Sequence, residues 1–148
     1  MIFRLFRRKP HDKRSNRIVA VIECILNQNA RDTGAATYRS MNKTLIQLCM
    51  KYEVGLFQIP CPETMCLGFL RKREPGQSIR DVLDTDSGRE CCMQTSVGLA
   101  DRLQEYIDNG VEITAVLGGN PQSPGCAVQP ALYLIFQRSK FLILFKIT

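Results

Sequence analysis

Cys24, Cys61 and Cys126 each stand a short distance beyond an apolar run that reads as a β-strand: Arg17 to Ile22, Gly55 to Ile59 and Glu112 to Leu117. If those strands are parallel neighbours, the three thiols converge at one edge of the sheet. Open α/β sheets take their ligands in the crevice beyond the carboxyl ends of the strands, so sulfurs delivered there suggest a metal or cluster site. Three thiolates about 4 Å apart would repel one another by ~4 kcal/mol per pair at an effective dielectric of about 20, so a fully ionised trio needs a cation at its centre. Structural zinc normally takes four protein ligands, and the single histidine, His11, lies outside the predicted strands and helices. Cys66, Cys91 or Cys92 could supply a fourth sulfur. An iron–sulfur cubane held by three cysteines is the other sulfur-binding option, and it would leave one iron with an open position. Glu63, two residues from Cys61, is the candidate general acid or base. Ser123 and Asn27 are candidates for hydrogen bonds to a substrate or to inorganic sulfide, or else ordinary loop residues bonded to their own backbone.

The elements that must position these groups follow from hydrophobic periodicity. Ile18 to Ile22 is a continuous apolar run, suited to a strand covered on both faces as in a parallel sheet. Tyr38, Met41, Leu45, Leu48 and Tyr52 recur at three and four, predicting a helix with those side chains on its apolar stripe. Cys49 beside that stripe reads as a small buried apolar residue. A second strand, Gly55 to Ile59, ends in Pro60-Cys61-Pro62-Glu63. The stretch from Phe69 to Arg89 is irregular, with a turn at Pro75-Gly76 and room for a short helix near Ser78 to Leu83. It reads either as a substrate cover or as a variable surface excursion. Ser87-Gly-Arg-Glu90 has capping-box spacing, and Met93, Val97, Ala100, Leu103 and Ile107 continue a helix that stops at Asn109-Gly110. The third strand, Glu112 to Leu117, follows at once. Alternating strand and helix predict an α/β fold, a single three-layer domain with a mainly parallel, Rossmann-like sheet.

Composition bounds the rest. The chain has 148 residues, 45% of them hydrophobic, which is enough for one core without disulfide staples. Its net charge of +6 resides in residues 1 to 17, which carry seven basic residues against the single acid Asp12; the remaining charges balance. That arm reads as a solvated tail rather than a nucleic-acid contact. The organisation expected is therefore a basic arm at 1–17, an α/β domain at 18–130, and an apolar segment at 131–148 in the form of a hairpin or an atypical end. No run reaches the ~20 apolar residues of a membrane helix. The opening Met-Ile-Phe-Arg-Leu-Phe is broken by Arg4, so a reducing cytoplasm is the expected compartment. There the seven cysteines are expected as ligands, catalytic groups or buried thiols rather than disulfide partners. Cys91-Cys92 reads as a redox pair or as idle thiols, and Cys66 as a neighbour of Cys61 that could relay sulfur.

Three segments carry a resemblance. Val21-Ile-Glu-Cys-Ile-Leu-Asn-Gln-Asn29, Gln58-Ile-Pro-Cys-Pro-Glu63 and Ser123-Pro-Gly-Cys126 resemble, in the same order and over residues 18 to 128, the signatures of the TudS-related desulfidase family, relatives of bacterial thiouracil desulfidase. The family's last segment usually reads Ser-Pro-Ser-Cys-Gly, whereas here Gly125 precedes the cysteine and Ala127 follows it. The resemblance implies a [4Fe-4S] cluster held by Cys24, Cys61 and Cys126, and removal of sulfur from a small thiolated heterocycle such as a thiopyrimidine. The competing expectation is a non-catalytic α/β module that binds a metal or another ligand.

Overall fold

The computed structural model describes residues 12–119 together with residue 123. Of the predicted features, Cys126, most of the basic arm and the apolar segment 131–148 lie outside the described residues. Element order is β1 (Arg17–Ile22), α1 (Glu23–Leu26), a 3-10 turn (Gln28–Ala30), α2 (Lys43–Lys51), β2 (Gly55–Ile59), α3 (Pro62–Leu67), α4 (Ile79–Leu83), α5 (Asp86–Asp108) and β3 (Glu112–Leu117). All three strands are parallel, in the order β2-β1-β3.

The central strand is the one whose sequence is apolar throughout. Ile18, Val19, Ala20, Val21 and Ile22 are all buried, as a strand flanked on both edges and covered on both faces requires. Each large side chain buried there contributes roughly 1.5–3 kcal/mol relative to exposure. On β2, an edge strand among the described residues, only Phe57 and Ile59 are buried. The Phe57 ring meets Tyr106 of α5 edge-on, with 5.5 Å between centroids, one of the arrangements that aromatic quadrupoles favour. On the other side, β3 pairs with β1 through a bulge. Ile113 lies opposite Ile18 but Ala115 lies opposite Val19, and the skipped Thr114 donates its hydroxyl to the Ile18 carbonyl at 3.0 Å.

The helices depart from the predicted stripes. Tyr38 and Met41 precede α2, which starts after the Asn42 cap, and the buried pair on α2 is Leu45 and Cys49, spaced to share one face. Leu48 and Tyr52, assigned to the stripe, are exposed. On α5 the first turn is capped by Thr85, whose hydroxyl accepts from the Gly88 N–H, so Ser87 lies within the helix instead of capping it. Leu103 anchors α5 in the core at 1% exposure, while Met93 and Val97 are exposed, because the first half of α5 packs on α3 and α4 instead of the sheet. The expected stop is present: Asn109 caps α5, and Gly110 adopts a positive φ of 80°, the left-handed conformation that glycine tolerates best. The short helix expected near Ser78 is α4, closed by a reciprocal capping box between Ser78 and Asp81.

Nothing in the hydrophobic periodicity announces α3. Pro62 at its first position needs no hydrogen-bond partner for the N–H it lacks, and Cys61 is its N-cap. Arg17, counted with the basic arm, opens β1 and donates to the Tyr52 carbonyl at 2.6 Å, just past α2. Among the described residues, no helix is long and apolar enough to cross a membrane.

Candidate functional site

The β1–β2 register sets the site. Ile22 pairs with Ile59, so Cys24 and Cys61 each stand two residues beyond paired strand ends, at neighbouring carboxyl termini of the sheet. Cys24 lies in α1 and Cys61 caps α3, and both are buried. Glu23 reaches across to the second loop, where its Oε2 accepts the Cys61 backbone N–H at 3.3 Å. The two cysteine-bearing turns are thereby tied to each other by a carboxylate.

Gln28 fixes the first turn. Only 4% exposed, it donates from Nε2 to the Cys24 carbonyl at 2.6 Å, while its Oε1 accepts from the N–H groups of Thr37 and Tyr38 at 2.9 and 3.2 Å. A single buried amide thus satisfies three backbone groups that no secondary structure would pair. Asn27, by contrast, uses its side-chain oxygen on Asn29 at 3.1 Å, which is local turn bonding.

Glu63 and Arg71 form the charged centre. Glu63 is 6% exposed and Arg71 2%, and Arg71 Nε contacts Glu63 Oε2 at 3.3 Å. The rest of the guanidinium engages the Phe69 carbonyl at 2.8 Å, the Ala30 carbonyl at 2.6 Å and Cys61 Sγ at 3.8 Å. A fixed positive charge therefore stands beside the Cys61 sulfur. Arg71 also adopts a positive φ of 45°. For a residue with a Cβ that backbone costs on the order of 1 kcal/mol, and the four contacts hold it there. Ser123 donates its hydroxyl to Glu63 Oε1, so the two candidate catalytic residues, 60 positions apart, meet directly.

Of the predicted site residues, the structure brings together Cys61, Glu63 and Ser123, and places Cys24 at the adjacent strand end. Sequence reasoning missed Glu23, Gln28 and Arg71. Glu23 and Gln28 flank Cys24 closely enough to have been suspected, whereas Arg71 sits in the run Arg71-Lys-Arg-Glu74 and has the look of a solvated residue. Among the described residues, no three His, Cys, Asp or Glu side chains stand close enough together to hold a metal ion. A wide groove lined by Leu56, Phe57, Pro60, Met65, Arg102 and Tyr106 opens between β2 and α5, but neither Glu63 nor any cysteine lines it.

The remaining cysteines correct the expectation of unpaired thiols. Cys66 and Cys91 form a disulfide, with Cα atoms 5.7 Å apart, because α3 packs directly on α5; that separation is within the range a disulfide spans. Their separation of 25 residues gave no hint of the pairing. Cys92 Sγ lies 3.9 Å from Cys66 Sγ. Burial pushes the thiols of Cys49 and Cys92 up, since a thiolate is the form that loses solvation.

No family model matches the chain, and no solved structure matches it. A curated relative does: the uncharacterized protein MJ0003 of Methanocaldococcus jannaschii is 30% identical over 115 residues, covering 78% of this chain and 70% of the relative. The match extends over most of both proteins, and the chain belongs to the same family as MJ0003.

Proposed function

We propose that the chain is a desulfidase of the TudS-related kind, removing sulfur from a small thiolated heterocycle such as a thiopyrimidine, on a three-layer Rossmann-like domain. The observation that carries this reading is the contact between Ser123 and Glu63. It joins Ser123 to the first turn of α3, next to Cys61, and Cys61 is level with Cys24 at the sheet edge. Ser123, the first residue of the third segment, thereby joins residues of the other two on one side of the fold.

The donor set suits a sulfur-ligated iron centre: two buried cysteines at adjacent strand ends, with a guanidinium near one of them to offset the negative charge of thiolate ligands. Cys24, Cys61 and Cys126 would hold a [4Fe-4S] cluster, and such a cluster supplies an iron with an open position at which substrate sulfur can bind. Glu63 accepts from Ser123 and is fixed by Arg71, so it is oriented to take a proton when water adds to the thiocarbonyl carbon, with Ser123 orienting the water or the substrate. Glu23 and Gln28 hold the two cysteine turns in place.

The non-catalytic module remains a second reading, favoured by one observation: both Glu63 oxygens are already engaged inside the protein, as in a purely structural ion pair. The test is anaerobic reconstitution of the full chain with iron and sulfide, followed by assay of sulfide release from a panel of thiolated pyrimidines. The desulfidase reading expects a brown protein that releases sulfide. Cys24→Ser, Cys61→Ser and Cys126→Ser should each lose colour and activity together, while Glu63→Gln keeps colour and loses activity. A colourless reconstituted protein would remove the cluster, and a brown one inert toward every substrate would remove the reaction.

A further inference from the structure

A crosslink between two helices needs two sulfurs, and here a third stands against it. Cys66 on α3 is bonded to Cys91 on α5, and Cys92, the next residue on α5, holds its sulfur 3.9 Å from Cys66 Sγ. Consecutive helical residues point about 100° apart, so both can approach one sulfur only if that sulfur sits between their two directions. Cys66, Cys91 and Cys92 are all half-buried, within reach of a small reagent, whereas Cys24, Cys49 and Cys61 are buried. None of the three contributes to the Glu63–Arg71 site.

We propose that Cys66, Cys91 and Cys92 form a thiol–disulfide exchange centre whose reaction partner is a low-molecular-weight thiol, with Cys66 as the shared sulfur and Cys91 and Cys92 as alternative resolving thiols. Exchange proceeds by attack of a thiolate on a disulfide sulfur. An external thiolate attacks Cys66 Sγ; the bond to Cys91 breaks, Cys91 leaves with the electron pair and takes up the proton that the external thiol gave up, and a mixed disulfide forms on Cys66. Cys92, losing its own proton, then attacks Cys66 Sγ and expels the external thiol, leaving Cys66–Cys92 and restoring the reagent. No net oxidation accompanies that cycle. If a second external thiol attacks the mixed disulfide instead, two electrons pass to the protein, the external disulfide leaves, and all three cysteines are reduced. The centre is independent of the desulfidase reading, since it uses none of the residues assigned to it.

Glutathione is the probe. The full chain, purified in air, is incubated with glutathione, quenched in acid, alkylated and mapped by fragmentation of its disulfide-linked peptides. Wild type should carry Cys66–Cys91 and acquire Cys66–Cys92 during the incubation. Reduced first and then treated with oxidised glutathione, which supplies the two-electron oxidant and releases one reduced glutathione per adduct, Cys91→Ser should form Cys66–Cys92 with no lasting glutathione adduct, and the Cys91→Ser/Cys92→Ser pair should retain the adduct on Cys66. If a natively folded Cys91→Ser, judged by circular dichroism, keeps its adduct as the double variant does, the proposal is overturned. Should Cys91→Ser fail to fold, the wild type alone decides: absence of any Cys66–Cys92 isomer after incubation overturns it equally.

Discussion

Replacing Arg71 by methionine tests whether the buried charge pair organises the site. Its Nε lies 3.3 Å from Glu63 Oε2, a separation at which two unit charges attract by about 5 kcal/mol at an effective dielectric of about 20. Removing one partner of a buried pair typically costs about 3–5 kcal/mol, because the other charge stays behind without compensation. The Ala30 carbonyl, in a residue 2% exposed, also loses its 2.6 Å donor. An orphaned buried group of that kind costs about 1–3 kcal/mol. Relief of the left-handed backbone is too small to offset these losses. Arg71→Met should therefore lower the unfolding free energy by about 4 kcal/mol or more, read as a shift of the urea midpoint at constant slope. Glu63→Gln leaves Arg71 charged and should also destabilise. In Arg71→Met/Glu63→Gln no buried charge is stranded, so the double variant should lose less than the two singles combined, with a coupling of about 2–3 kcal/mol. A loss below about 1 kcal/mol for Arg71→Met, or simple additivity in the cycle, would refute the pair as the organising contact.

Three further outcomes are expected. Gln28→Ala strands the Cys24 carbonyl and the Thr37 and Tyr38 N–H groups, so it should cost about 2–4 kcal/mol and remove hydrogen-exchange protection from the Thr37 and Tyr38 amides. Gly88→Ala places a Cβ 2.5 Å from the Val82 carbonyl and 2.7 Å from Leu83 backbone atoms. With no flexible side chain to give way, the thermal midpoint should fall, for a loss of about 1–3 kcal/mol. Gly98→Ala, on the same helix with nothing within 4 Å of the new Cβ, should raise the midpoint through a gain of about 0.5–1 kcal/mol in helix propensity.

What the sequence disclosed, and what it hid, divides along physical lines. The bounds of β1, β2 and β3 were legible, because an apolar run buried between neighbours leaves an unbroken signature. The stop at Asn109-Gly110 was legible because it is local chemistry, whereas the capping box read at Ser87 and Glu90 was misplaced, Thr85 being the cap of α5. α3 was not legible: six residues opening on Pro62 look like a loop, and what makes them helical is the packing of α3 against α5. Met93 and Val97 kept helical spacing while facing outward, since periodicity reports a stripe without saying whether anything covers it. In the site, Glu63 and Ser123 were nominated by their closeness to cysteines. Arg71 was concealed among charged neighbours, because burial of a guanidinium depends on acceptors outside its own run, Glu63 eight residues before it and Ala30 forty-one residues before it. The Cys66–Cys91 bond was hidden for the same reason, its partners being joined only through the meeting of two helices.

The skipped Thr114 has a consequence for the shape of the crevice. With one residue looped out, Leu117 ends opposite Val21, where an uninterrupted ladder would have carried it level with Ile22. β1 and β2 finish flush at Ile22 and Ile59. The top of β3 is therefore set back by one residue, a rise of roughly 3.3 Å along a parallel strand. The rim of the sheet has a step cut into it on one flank, and Gly118-Gly119 leaves from the lower tread. One surplus amino acid thus separates the count of residues in β3 from its height on the sheet, and deleting Thr114 would close the bulge while leaving Ala115, Val116 and Leu117 opposite Val19, Ala20 and Val21.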